Sequence, residues 1–229
     1  MFKNIFKIIV IFIIGIAGGI LGGQILTKYQ SPNSIPVSVV ENKEIIIQEN
    51  TALQEAIEKI EKSIVGIRVE TEEGKTVLGS GLVVTSDGLV VTLSGLVPQG
   101  AKPTFFIDGK TPEYQILKRD REKNLVLLKL REGGMQTCGF ADFSDIRLGQ
   151  RVFLLGMIFP KSGRTLMANQ GIIKYFTEDY IRTNIFESYT LAGSALFNIK
   201  GELVGLNTID SQGRVTAIPI NVLRDFLGL

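Results

Sequence analysis

Hydrolysis by a side-chain nucleophile needs a group that takes up a proton near neutral pH and returns it, and histidine, with an ordinary pKa of about 6.5, suits that task. The chain contains none, so any hydrolytic mechanism must run without imidazole. The single cysteine, Cys138, excludes an intramolecular disulfide, and no Cys/His set for structural zinc or a haem exists. The expectation is a small buried hydrophobe at Cys138, no metal and no cofactor. The run Lys118-Arg119-Asp120-Arg121-Glu122-Lys123 mixes both signs and reads as solvated surface rather than a binding patch. Gly18-Gly19 and Gly22-Gly23 lie in an uncharged apolar stretch and so are not phosphate loops. With 25 basic and 23 acidic residues the net charge is +2, which excludes the electrostatic footprint of a nucleic-acid binder.

The elements that must position any site follow from composition and periodicity. A chain that is 45% hydrophobic and 21% charged fits one globular domain plus one greasy segment. Residues 8–27 carry no charge, and as a helix they span about 30 Å, the thickness of one hydrocarbon core. Lys3 and Lys7 precede them, which puts a short N-terminus in the cytoplasm and the rest across the membrane. This reading is a single-pass anchor over residues 1–27, with Ile8, Phe12, Gly15, Gly19 and Gly23 in the bilayer. A cleaved signal peptide, processed near small residues such as Ala17 and Gly19, is the rival reading and would release a secreted domain. Gly15, Gly19 and Gly23 recur every fourth residue, spacing that lets two helices approach, although glycine is common in membrane helices in any case.

Residues 28–50 read as a linker and residues 51–229 as the domain. Leu53, Ile57 and Ile60 fall at helical spacing, with Thr51 as N-cap and Gln54 as its capping-box partner. Beyond them come short runs rich in Val, Ile, Leu, Thr and Phe, separated by turn signals such as Asp108-Gly109 and Lys200-Gly201. The expected strands are 64–69, 81–85, 89–92, 104–107, 114–117, 125–130, 151–155, 168–175, 180–183, 195–198, 203–208 and 215–218. So many strands exceed one small barrel, and the loop over 141–149 is a natural divide. The fold class is therefore all-β, two packed six-stranded barrels, with a closing helix over 221–227.

Three ordered segments resemble the HtrA/Deg-type trypsin-like (chymotrypsin-fold) serine proteases. Gly79-Ser-Gly-Leu-Val-Val-Thr-Ser-Asp-Gly-Leu-Val-Val-Thr92 is similar to the family's GSG hairpin, which leads into a Thr-x-x-His segment. Asp120-Arg-Glu-Lys-Asn-Leu-Val-Leu-Leu-Lys129 resembles the segment that supplies the triad aspartate. Ala192-Gly-Ser-Ala-Leu-Phe-Asn-Ile-Lys-Gly-Glu-Leu-Val-Gly-Leu-Asn-Thr208 resembles the nucleophile segment and the strand after it. Residues 148–156 and 216–221 add support, so the likeness covers 51–229; the family's C-terminal PDZ domain has no counterpart in these residues.

The resemblance implies a degenerate member. Gly95 stands at the histidine position, Asn124 at the aspartate and Ala192 at the nucleophile, so hydroxyl, base and orienting carboxylate are all missing. Thr190 replaces an oxyanion-hole glycine, and a β-branched residue resists backbone angles that glycine accepts. Ser194, two residues from Ala192, is the substitute nucleophile for an active-enzyme reading with a lysine base, though no aligned segment brings a lysine to it. The leading expectation is a pseudoprotease outside the cytoplasm that pairs extended or unfolded polypeptide with an exposed strand edge. By resemblance its groove is walled by segments 186–191, 208–210 and 214–217, which hold Phe186, Leu191, Thr208, Asp210, Arg214, Val215, Thr216 and Ala217, together with Gly193. The alternative is a structural or regulatory subunit that assembles with an active homologue or with itself as a homo-oligomer.

Overall fold

The computed structural model describes residues 51–71 and 74–229, together with Gly15, Ile16, Gly18, Gly19 and Gln24. The chain divides into two compact units, Met1–Ile46 and Ile47–Leu229. Of the first, only those five residues are described; all five are helical and exposed. Among the described residues no helix is long and apolar enough to cross a membrane. The rest of the expected anchor, including Ile8, Phe12 and Gly23, and the expected linker over 28–50 lie outside the described residues.

In the second unit, residues 51–60 form helix α1, with Thr51 already inside it. Its apolar face buries Ala56 and Ile60, and Leu53 and Ile57 pack beside them against the larger core. Thirteen strands follow. β1 (Ile64–Glu70), β2 (Thr76–Val83), β3 (Leu89–Leu93), β4 (Lys102–Phe106), β5 (Tyr114–Asp120) and β6 (Leu125–Leu130) make one antiparallel sheet in the order β4-β1-β2-β3-β6-β5. β7 (Gly139–Phe140), β8 (Arg151–Ile158), β9 (Thr165–Phe176), β10 (Ile181–Phe186), β11 (Ala195–Asn198), β12 (Glu202–Ile209) and β13 (Arg214–Pro219) make the other, and helix α2 (Ile220–Leu227) closes the chain.

The second sheet runs β11-β8-β9-β10-β13-β12 and shuts on itself through β11 and β12, forming a closed six-stranded barrel; β7 adds a short parallel pairing to β12. The first sheet is curled but open, because β4 and β5 do not pair among the described residues. This corrects the expectation of two closed barrels. The edges themselves give the reason: Pro103 in β4 has no N–H for a further ladder, and β5 carries a bulge between Ile116 and Lys118.

Two cores result. Val65, Ile67, Val69, Val83, Val90, Phe105, Val126, Leu128 and Leu130 fill the concave side of the first sheet. The opposite faces of the same strands, through Ile64, Leu82, Val91, Leu93 and Leu125, join the core of the closed barrel. This double burial explains why β6 reads as the unbroken apolar run Leu125-Val126-Leu127-Leu128 rather than as an alternation.

Where the first sheet meets the barrel, one buried serine ties three segments together. Ser80 in β2 donates its N–H to the Ala192 carbonyl (2.9 Å), its carbonyl accepts from Thr92 Oγ1 (2.6 Å), and its Oγ accepts from the Met157 N–H (2.9 Å). Ser80→Ala leaves the Met157 amide without that partner, and a buried orphaned donor costs about 1–3 kcal/mol. Urea unfolding should show a loss of that size.

Candidate functional site

The site is built on the ends of three elements. β3 stops at Leu93 and the chain enters a 3-10 turn over Ser94–Leu96, which leaves Gly95 exposed. The β5–β6 turn ends at Asn124, which adopts a left-handed φ of 54°, a conformation asparagine tolerates better than most residues. From there the Asn124 carbonyl accepts from the Ser94 N–H (2.9 Å), and its side-chain Oδ1 accepts from the Gly95 N–H (3.1 Å). Arg119 completes the arrangement by donating from Nη1 to the Ser94 carbonyl (3.1 Å) and Oγ (2.9 Å). The structure thus brings Gly95 and Asn124 together, and a Cβ built on Gly95 would meet only Asn124 Oδ1, at 3.7 Å.

Ala192 follows a second 3-10 turn, Tyr189–Leu191, capped by the Ser188 side chain, which accepts from the Thr190 N–H. Every amide from 190 to 194 is engaged: Thr190 with Ser188 Oγ (3.4 Å), Leu191 with Ser188 O (3.0 Å), Ala192 with Tyr189 O (2.9 Å), Gly193 with Asn207 O (2.8 Å) and Ser194 with Leu191 O (3.0 Å). An oxyanion hole needs N–H groups aimed at open space where charge develops. Here the donors point back into the chain, and Ala192 is only 1% exposed. Gly193 holds the turn at φ 77°, and a Cβ on it would lie 2.2 Å from the Ser80 carbonyl oxygen.

Ser194 is fully buried, and its Oγ accepts from Asn207 Nδ2 (3.1 Å). Among the described residues no lysine is a hydrogen-bond partner of Ser194. The thiol of Cys138 is pushed up to about 12 by burial and stays neutral. It is half-buried and packs against the barrel core. Among the described residues no group of three or more His, Cys, Asp or Glu is placed to hold a metal ion.

The groove candidates divide. Phe186 and Tyr189 stand out at 64% and 59% exposure, whereas Leu191 and Gly193 are buried. Val215 and Ala217 point into the barrel, and β13 pairs with β10 on one side and β12 on the other, so segment 214–217 offers no free backbone edge. Thr208 and Thr216 are half-buried, and Thr208 Oγ1 donates to the Thr216 carbonyl (2.9 Å). Asp210 closes the β12–β13 turn: its Oδ1 accepts from the Gln212 and Arg214 amides, and its Oδ2 from Arg214 Nε (2.7 Å). The free edge is on β12 itself. Asn207 bonds back to Gly193 and Ser194, and Asp210 donates to Arg214, so the alternation of an antiparallel ladder turns the Ile209 N–H and C=O away from β13, beyond the end of β11.

Arg119, Ser80, Thr92 and Asn207 were missed as site-building residues in the sequence. Each acts through a partner more than ten residues away, for which local spacing carries no signal.

The trypsin-like peptidase domain family matches residues 79–206. Serine protease HTRA1 of Xenopus tropicalis is 28% identical over 131 residues, covering 52% of this chain and 28% of the relative. A probable periplasmic serine protease do/HhoA-like of Haemophilus influenzae is 27% identical over 176 residues, 68% of this chain and 37% of the relative. The periplasmic pH-dependent serine endoprotease DegQ of Escherichia coli is 24% identical over 246 aligned positions, 89% of this chain and 52% of the relative. The chain thus spans between 28% and 52% of the length of these relatives.

Two outcomes follow from the site's local chemistry. Asn124→Asp keeps the acceptor for Gly95 and a residue that tolerates positive φ, whereas Asn124→Ala loses both and should cost about 1–3 kcal/mol in thermal or urea unfolding. The amide of Arg214, and then its side chain, hold Asp210 below the ordinary carboxylate value of 3.8. A depressed folded-state pKa adds stability that is complete above the unfolded value and lost as pH falls through the folded one. Asp210→Asn should therefore flatten the loss of stability below that range, read as the urea midpoint against pH.

Proposed function

Because its match over residues 79–206 makes this chain a member of the trypsin-like peptidase domain family, we propose that it is a catalytically inactive member that binds extended polypeptide. The observation that carries the reading is the engagement of every amide from Thr190 to Ser194 by the chain's own acceptors. A hydrolase of this kind must offer such donors to a developing oxyanion and a hydroxyl beside them. Here alanine occupies the nucleophile position, and glycine and asparagine stand for the base and its orienting acid.

Peptide capture needs neither the hydroxyl nor the base. An extended chain pairs with a strand edge through main-chain hydrogen bonds and takes specificity from alternate side chains. Ile209 supplies the edge, and the exposed rings of Phe186 and Tyr189 lie on the segment that leads to Ala192. Anchored by residues 8–27, the domain would work outside the cytoplasm. The periplasmic names of the Haemophilus and Escherichia relatives are in keeping with that placement.

The test is paired. The full chain should cleave neither casein nor a diverse peptide library, and a fluorophosphonate should not label it. Labelling abolished by Ser194→Ala would overturn the proposed inactivity. Installing the missing groups with Gly95→His, Asn124→Asp and Ala192→Ser should leave activity at background, because the amide donors remain turned inward. The same chain should retain extended peptides on an array, and Phe186→Ala with Tyr189→Ala should weaken that binding about tenfold, the scale of losing an aromatic anchor. No retention of any peptide would end the binding proposal.

A further inference from the structure

Away from the triad positions, the first sheet and the β8–β9 hairpin enclose an open groove of about 560 Å³, lined by Arg68, Phe106, Phe159, Pro160, Lys161, Gly163 and Arg164. Three of these residues are cations and none is an acid. Arg68, Lys161 and Arg164 enter no ion pair among the described residues. The two guanidinium groups are nevertheless held in place. Arg164 lies over the Phe106 ring at 4.4 Å and Arg68 over the Phe159 ring at 5.9 Å, and the rings meet edge to face at 5.7 Å. A guanidinium stacked on a ring keeps its N–H fork free in the plane, so it is oriented for a carboxylate before one arrives.

The sequence makes room for this arrangement at Gly66. Gly66 in β1 pairs with Phe106 in β4, and a Cβ on it would lie 2.3 Å from Met157 Sδ and 3.0 Å from Phe159 Cζ. With no side chain at Gly66, Met157 and Phe159 lie against β1 and the second ring reaches the first; a Cβ there would make both side chains shift. A neighbouring cavity of about 350 Å³ shares Phe106 and Arg164 and continues past Lys62 to Glu61 and Asp108. The cationic stretch is therefore short and ends at carboxylates, which would repel a long polyanion.

From these features we infer a second binding site, distinct from the Ile209 edge, that takes an acidic peptide segment. Its carboxylates would meet Arg68, Lys161 and Arg164, and its apolar side chain would lie on Phe106 and Phe159. Phe106 and Phe159 are only half-buried beneath the guanidinium groups, and the apolar surface they keep favours a peptide side chain over a phosphate group, which would not use it.

The test measures binding of a short fluorescein-labelled peptide of alternating glutamate and leucine to the full chain in detergent, by anisotropy. Expected are saturable binding that weakens as salt rises, and a loss of about tenfold or more both with glutamine in place of glutamate and in the Arg68→Gln, Arg164→Gln variant. Phe159→Ala should also weaken binding while leaving charge unchanged, and urea midpoints check that each variant is folded. Unchanged affinity in the folded double arginine variant, or equal binding of the glutamine peptide, overturns the proposal. So does displacement of the peptide by inorganic triphosphate or phosphatidylglycerol vesicles at lower concentration than by unlabelled peptide, which would make phosphate the ligand. Loss of acidic-peptide binding on Phe186→Ala, Tyr189→Ala would place the peptide in the other groove and overturn it as well.

Discussion

Ser80 is the residue on which the two sheets depend. It is buried, and its N–H, carbonyl and hydroxyl each reach a different segment: the Ala192 turn, the end of β3 and the end of β8. In a water-excluded junction every such group must find a partner, because an orphan costs as much as several apolar contacts contribute. Satisfying all three fixes the position of β2 against the barrel. It also fixes the carbonyl of Ala192, and through it the direction in which the following amides point. Gly193 then takes its left-handed turn directly over the Ser80 carbonyl, where no side chain fits.

That constraint separates architecture from chemistry. A peptidase of this fold must hold amides unsatisfied by its own chain so that an oxyanion can take them. In this chain the same segment is closed by Ser188, Tyr189, Leu191 and Asn207, a state cheaper in free energy than leaving buried donors bare. At the end of β3 the Gly95 amide donates to the Asn124 side chain and the Arg119 side chain donates to Ser94, so side chains from β5 and the β5–β6 turn hold that turn in place. The scaffold, its hairpins and its strand edge persist, and this is why binding is the activity proposed for it.

Much of this was legible in the sequence, for identifiable reasons. Strands buried on both faces, such as β6 and β8, announce themselves as apolar runs, and α1 by its helical spacing. β7 escaped because two residues carry no period and gain a partner only from distant β12. The open first sheet was also hidden: closure depends on whether β4 and β5 meet, a long-range fact to which Pro103 and the bulge near Leu117 are the only local clues. The types at 95, 124 and 192 could be read directly, but their contacts could not. The inward turn of the amides depends on the conformation of segment 188–191 and on the Asn207 carbonyl, and no spacing rule connects Asn207 to Gly193. The placement of Val215 and Ala217 inside the barrel follows from strand alternation, which a list of groove segments by resemblance does not resolve.

The central claim is that the amides around Ala192 are committed to the chain itself. Residue-resolved hydrogen exchange on the full chain measures this directly, since a hydrogen-bonded buried amide exchanges only when the structure opens. The account predicts that Ala192, Gly193 and Ser194 are protected to the level of the β12 amides. Exchange of the Ala192 amide at the unprotected rate in an otherwise protected barrel would contradict it, because that donor would then be free to meet an oxyanion.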